Sequence, residues 1–354
     1  MMDGLFKTEE VTRIATHLRP AVERILQIQS DSGAIAWFEN GAWDPWNHVE
    51  SAMALCAAGE ISAAARAYDF LAAHQLADGA WFGEYGNALP MVDRLFISRE
   101  KAPAVRDTNF CAYPAVGIFH YLEQTGDLER VRTWWPMVAR ALDFVLTLQR
   151  PDGTISWSLE AWGSTEDAAL LAGNASILKS LACGIGLAGA IGQSAEHRRN
   201  GYNALRTALR SGTLLFDRRG QGARFAMDWY YPVLSGALDA GRARDHIFAR
   251  WNKFVPDDRG CLCVMDEPWI TAAETAELVL ALIAADEIDR ADALFTDLLD
   301  LRDEGGVFWM GRQTEENIFW PQEQSSWTQA AVILAADALD DTSSASRLLT
   351  RPLL

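Results

Sequence analysis

Eight acidic residues fall in six short segments spaced along the chain, and most of those segments also carry Trp or Tyr. The segments are Asp44-Pro-Trp-Asn-His-Val-Glu50, Asp107-Thr-Asn109, Thr165-Glu-Asp167, Asp228-Trp-Tyr-Tyr-Pro232, Pro268-Trp-Ile-Thr-Ala-Ala-Glu274 and Trp320-Pro-Gln-Glu323. Any one of these acids is accounted for as a helix N-cap or first-turn carboxylate favoured by the helix dipole. Asp44 before Pro45 reads as a cap with Pro at the first helical position, and Thr165 with Glu166 and Asp167 reads the same way. Caps do not need aromatic neighbours, however, and a carboxylate inside an apolar helix is costly without a partner or a task. Acids crowded together repel, which raises at least one pKa towards neutrality and makes a general acid. With aromatic walls, such a site suits two chemistries. It can protonate an alkene and hold carbocations over π-faces, or stack sugars while two carboxylates cleave a glycosidic bond.

The acids can act together only if the chain brings them together. Each segment is followed by a stretch of small apolar residues, as in Ser51–Ala58, Leu170–Leu181, Leu278–Ala285 and Ala330–Ala336, and a helix apolar all round is buried all round. Between them lie helices such as Ile61–Leu71 and Asp289–Leu301 that keep a charged face. The two kinds are joined by Gly-containing turns: Gln75-Leu-Ala-Asp-Gly-Ala-Trp81 and Gln149-Arg-Pro-Asp-Gly-Thr-Ile-Ser-Trp157 are the clearest, Gln29–Gly33 and Asp303–Trp309 close variants, and Phe216–Gly220 and Val255–Gly260 worn copies. Six repeats of this kind predict an all-α (α/α)6 toroid with short extended connectors. Its inner helices start at one rim near Asp44, Asp107, Glu166, Asp228, Trp269 and Trp320. Residues 1–339 form the single domain and 340–354 a frayed tail.

On this frame the predicted catalytic residues are Asp44, Asp107, Asp228 and Glu274. The predicted substrate-binding residues are Trp46, His48, Glu50, Asn109, Glu166, Trp229, Tyr230, Tyr231, Trp269, Trp320, Glu323 and Trp327. Arg94, Arg99, Lys101 and Arg106 cluster in a connector, Gly83 to Arg106, long enough to cover the cavity. The six histidines show no i, i+4 pair and no Cys-x-x-Cys occurs, so neither a metal nor a cofactor is expected.

Bulk properties narrow the field. A net charge of −17 and a pI near 4.8 argue against nucleic-acid or anionic-membrane binding. Five cysteines without framework spacing read as reduced core thiols. The apolar run within Leu170–Gly192, interrupted by Asn174 and Lys179, reads as a buried helix rather than a transmembrane segment. The start of the chain carries no apolar secretory core, and the expected location is cytoplasmic. The expected partner is a small molecule, either an isoprenoid or a glycan.

The Gln-x-x-Asp-Gly-x-Trp rhythm resembles the repeats of terpenoid cyclases and protein prenyltransferase β-subunits, and the layout of the chain looks like bacterial proteins called prenyltransferase-like. That resemblance implies acid catalysis on an isoprenoid through a cationic transition state. The zinc-binding Asp-x-Cys, the Asp-x-Asp-Asp acid motif and the Asp-Asp-x-x-Asp motif of those families are all absent. A second resemblance, to six-hairpin glycosidases of the glucoamylase kind, rests on Arg106-Asp-Thr-Asn-Phe-Cys-Ala-Tyr-Pro114, Gln124-Thr-Gly-Asp127 and Trp134-Trp-Pro136, and implies a carboxylate pair acting on a sugar. A toroid that only binds a small molecule or glycan is the third reading.

Overall fold

The structure, a computed structural model, describes residues 12–85, 105–160, 168–212, 215–216 and 224–354. The helices in chain order are α1 (Arg13–His17), α2 (Arg19–Ile28), α3 (Pro45–Ala57), α4 (Ile61–Ala73), α5 (Thr108–Ala112), α6 (Pro114–Thr125), α7 (Leu128–Thr147) and α8 (Leu171–Ile191). They continue with α9 (Glu196–Arg210), α10 (Ala226–Leu234), α11 (Ala240–Phe248), α12 (Trp251–Phe254), α13 (Ala272–Ala284), α14 (Ile288–Leu298) and α15 (Ser326–Asp340). Helix α3 packs on α6, α6 on α8, α8 on α10, α10 on α13, α13 on α15, and α15 returns to α3. The inner ring is thus closed. Helices α2, α4, α7, α9, α11 and α14 pack against its outside. The fold is the (α/α)6 toroid.

Residue pattern explains which helix lies where. Outer helix α9 buries Arg198, Gly201, Tyr202, Leu205 and Ala208, a single stripe at helical spacing. In inner helix α15 every residue from Thr328 to Ala338 is buried. Helix α8 is long and apolar enough to cross a membrane by composition, yet 78% of its most apolar window is buried within the toroid.

The Gln…Gly turns have a structural task. Gln75 Nε2 donates to the Gly79 carbonyl (2.8 Å) and to Met137 O on α7 (2.9 Å). Gln149 Nε2 does the same for Gly153 (3.0 Å) and for Gly201 on α9 (2.9 Å), and Gln29 Nε2 for Gly33 (3.3 Å) and Ala63 on α4 (2.9 Å). Each glutamine therefore ties its own turn to the next outer helix. The glycines have positive φ, and a Cβ on Gly153 would lie 2.5 Å from Ala204 O, so only glycine fits against that helix.

A second set of bonds aligns the inner ring. The fourth residue of five inner segments takes the backbone N–H of the connector leading into it: His48 Nδ1 from Ile35 (3.1 Å), Cys111 Sγ from Trp81 (3.3 Å), Asn174 Oδ1 from Ile155 (2.8 Å), Thr275 Oγ1 from Cys261 (2.9 Å) and Gln329 Oε1 from Phe308 (2.9 Å). These hooks hold five of the inner helices with their N-termini beside the turns, at one rim.

Connectors add short strands. β1 (Val105–Asp107) pairs antiparallel with β2 (Ser158–Glu160). A four-stranded antiparallel sheet joins β3 (Cys261–Leu262), β4 (Trp269–Thr271), β5 (Gly311–Gln313) and β6 (Ile318–Phe319) in that order. Two predicted helix starts shift as a result. Trp269 lies in β4, so α13 begins at Ala272, and Trp320 follows β6, so α15 begins at Ser326. The predicted start at Glu166 lies outside the described residues, and α8 begins at Leu171.

The tail is not frayed. Ser343 bonds Asp337, Ala345 and Leu348 are buried, and buried Lys179 donates to the carbonyls of Leu348 (3.1 Å) and Arg351 (2.6 Å).

Candidate active site

At the start of α3, Asp44 is the N-cap, accepting from Asn47 N (2.9 Å), Asn47 Nδ2 (2.6 Å) and Trp37 Nε1 (2.6 Å). It is only 1% exposed, and burial pushes its carboxyl up to about 6 despite those three bonds. Asp107 ends β1 and caps α5, accepting from Asn109 N (2.8 Å) and Phe110 N (3.1 Å). Burial raises it to about 7, and the charge of Asp44 adds to the rise. The cap reading thus describes the geometry of both residues, and burial also lifts both towards neutral pH, Asp107 further than Asp44. The Oδ1 of neighbouring Asn109 is buried without a hydrogen-bond partner.

Across the ring, Asp228 in the first turn of α10 accepts from Ala172 N at the start of α8 (2.9 Å). Glu274 stands in the first turn of α13 and not deeper, because Trp269–Thr271 are strand. Its carboxylate accepts from the Thr271 hydroxyl, and burial, then the charge of Glu274, raises the pKa of the Cys263 thiol.

One turn below the rim lies an acidic floor. Glu50, 6% exposed, accepts from the Tyr113 hydroxyl (3.0 Å), and Tyr113 stacks on Trp46 with ring centroids 3.7 Å apart. Glu277 accepts from both Tyr230 and Tyr231. Glu50, Glu277, Tyr113 and Tyr231 line one cavity of about 20 Å³ along with Ser176, Lys179 and Leu349. Burial, then the facing charge of Glu277, drives the Glu50 carboxyl well above its usual range; burial also raises Glu277. The groups form one electrostatic cluster, because Glu50 feels Asp44 and Glu274, and Glu277 feels Glu274. Glu277 and Tyr113 were not among the predicted residues. Glu277 lies three residues after Glu274, one turn further along the same helix face, and that spacing was a usable signal.

Three of the predicted contacts, His48, Trp229 and Tyr230, are core instead. His48 is the connector hook of α3; its Nε2 lies 2.9 Å from Ala67 O, and burial lowers it to about 4, so the ring is neutral. Trp229 occupies the equivalent fourth position of α10 and stacks outward on Phe254, centroids 4.9 Å apart. Tyr230 is fully buried and reaches the site only through Glu277. The half-buried aromatics Trp269 and Trp320 touch at 5.6 Å, and Trp327 packs edge-on against Trp37 (5.8 Å) and Phe38 (6.0 Å). Glu323 is half-buried, and its carbonyl accepts from Met310 N (2.9 Å). Arg106 pairs with Asp78 at 3.0 Å. Glu166, and the remaining basic residues Arg94, Arg99 and Lys101, lie outside the described residues, as does most of the expected covering connector. Among the described residues, no group of three His, Cys, Asp or Glu is arranged to hold a metal ion.

No family profile matches the chain. It is 42% identical over 324 residues to the MMP endo-(1,4)-3-O-methyl-α-D-mannosidase of Mycolicibacterium hassiacum, covering 92% of this chain and 86% of that one. Among solved structures, the GH63 mannosylglycerate hydrolase of Thermus thermophilus in complex with glucose superposes with a TM-score of 0.70 at 13% identity, over 89% of this chain and 99% of that one. A wild-type glycosidase superposes at 0.68 with 14% identity, over 91% and 96%. These structures share the fold. The findings support the six-hairpin glycosidase resemblance and not the terpenoid cyclase one, so the isoprenoid expectation is replaced by a glycosidase one. With such identity over most of both chains, the protein is an enzyme of the endo-(1,4)-3-O-methyl-α-D-mannosidase family.

Proposed function

We propose that the protein hydrolyses α-(1,4) bonds within chains of 3-O-methylmannose, using carboxylates from two arcs of the toroid mouth. The general acid belongs to the arc of α3 and α5, where burial lifts Asp107 to about 7 and Asp44 to about 6. It gives its proton to the glycosidic oxygen as the bond to the anomeric carbon breaks. The second carboxylate belongs to the facing arc of α10 and α13, where Asp228 and Glu274 stand. Glycoside hydrolysis of this kind needs two carboxyl groups flanking the scissile bond. The half-buried aromatics of the rim suit a substrate whose methyl ethers make it less polar than ordinary mannan.

The observation that carries this reading is the placing of Asp44 and Asp107 on one arc of the mouth and of Asp228 and Glu274 on the facing arc, in a chain 42% identical to such a mannosidase. The test is hydrolysis of an α-(1,4)-linked 3-O-methylmannose oligosaccharide by wild type and by Asp44→Asn, Asp107→Asn, Asp228→Asn and Glu274→Gln. One variant from each arc should lose about 10²–10⁴-fold in kcat, and the anomer first released reports whether the second carboxylate activates water or attacks the sugar. Full activity in all four folded variants would remove the proposal.

A further inference from the structure

The sheet β3–β6 stands beside the starts of α13 and α15, and one of its faces leads from Glu274 to open solvent. Residues opposite one another on neighbouring strands share a face. The register Cys261↔Thr271↔Gly311 and Trp269↔Gln313↔Ile318, with Cys263 N bonded to Trp269 O, puts Thr271, Cys263, Trp269, Gln313 and Ile318 on one face. Its inner end is Thr271, whose hydroxyl donates to the Glu274 carboxylate, with Cys263 beside it. Its outer end is Ile318, 51% exposed. The other face carries Ile270, Arg312 and Phe319; Ile270 is buried, and Arg312 lies over the Phe319 ring at 5.1 Å.

The track is built rather than incidental. The Trp269 indole donates to Trp320 O (2.6 Å) and lies across Gly311, where a Cβ would come within 2.3 Å of Ile270 O and 2.7 Å of the indole Nε1. Glycine at that position leaves room for the ring, and the hydrogen bond fixes it. Strand geometry makes the face about 7 Å long from Thr271 to Trp269 and about 10 Å wide from β4 to β6, which is room for more than one sugar ring. Ile318 is exposed on β6, while exposed Phe225 and Met265 flank β3 at the opposite edge of the sheet.

We propose that this face is a carbohydrate-binding track for the portion of a 3-O-methylmannose chain that extends away from the cleaved bond. Trp269 supplies a flat stacking surface, Gln313 a hydrogen-bonding group, and Ile318 an apolar contact for methyl ethers. The inference rests on the proposed α-mannoside substrate and extends it from the reacting sugars to the chain beyond them.

Two measurements test it on Ile318→Asp and Trp269→Ala. The first is kcat/KM on a tetrasaccharide and on a dodecasaccharide of α-(1,4)-linked 3-O-methylmannose. The second is isothermal titration with a dodecasaccharide whose linkages are non-hydrolysable thioglycosides. Each variant should lower the ratio of dodecasaccharide to tetrasaccharide kcat/KM at least fivefold, and should weaken binding of the analogue to a similar degree. The conservative Trp269→Phe variant should recover part of both. Unchanged ratios and unchanged binding, or a wild type that binds the long analogue no better than a short one, would overturn the track. If wild type hydrolyses neither oligosaccharide while both variants still bind the analogue more weakly, the hydrolytic reading fails and the track stands.

Discussion

Glu277 concentrates the chemistry of the floor in one side chain. It is buried beside Glu50, and two tyrosine hydroxyls donate to its carboxylate. Those bonds favour the charged form, but burial outweighs them and the net shift is upward. For a carboxyl whose folded pKa exceeds its unfolded value of about 4.3, the folded state keeps a proton that the unfolded chain has released. Its stabilising effect is full below that unfolded value and is lost as pH rises through the raised folded one. Glu277→Gln keeps an acceptor for the tyrosines and removes the charge. The variant should therefore gain about 1–3 kcal/mol over wild type at pH 8 and much less at pH 5, read from thermal melts at both values. An equal difference at the two pH values would show that Glu277 does not titrate against folding. Asp44 was legible from sequence because a cap followed by Pro is a local pattern. Glu277 was harder, since what distinguishes it is Glu50, more than two hundred residues away in the chain and opposite it across the cavity.

At the scale of elements, the repeat turns were readable because their geometry is dictated locally. The Gly that follows five or six residues after the end of α2, α4 and α7, behind Asp or Ser, closes a tight turn with positive φ. Their reason is not local, since the glycine is required by the carbonyl of the next outer helix. Gly153 and Gly126 separate the two effects. Both have positive φ, but a Cβ on Gly153 would meet Ala204 O at 2.5 Å, while one on Gly126 would meet nothing within 4 Å. Gly126→Ala should cost about 1 kcal/mol from backbone strain alone. Gly153→Ala should cost more than about 3 kcal/mol, because α9 must also move. Similar losses in urea unfolding would show that the close approach carries no weight. The misplaced helix starts have a complementary cause. Trp320-Pro-Gln-Glu has the look of a capped start, but the Trp320 N–H donates to Gly311 O (3.0 Å), and β4 pairs with β5 some forty residues later in the chain. Long-range strand pairing leaves no periodic trace in so short a segment.

The whole molecule differs from an open helical repeat in having no terminal unit. Helix α15 closes on α3 and α2, Ser326 donates from its N–H to Trp37 O (3.0 Å) and from its hydroxyl to Ala36 O (2.8 Å), and Arg13 pairs with Asp340 and Asp292. The first and last repeats are therefore held together as neighbours. Below the rim, the tail lays Leu349 against the axial cavity and engages Lys179, so the floor of the site depends on the last residues of the chain. Open arrays can lose their end repeats first, because each repeat contacts only its neighbours. A closed ring cannot release one repeat without exposing apolar faces on two others, and a core shared by six inner helices has no weak end. Unfolding should then be a single transition despite the length of the chain. The fourteen tryptophans are spread from Trp37 to Trp327 and report on every sector of the ring, while far-ultraviolet circular dichroism reports total helix. In guanidinium titrations the two signals should coincide, and Ser326→Ala, which removes one seam hydrogen bond, should shift both curves equally to lower denaturant. Tryptophan fluorescence that changes before helicity is lost would mean that the seam opens first and that the ring behaves as a solenoid with two free ends.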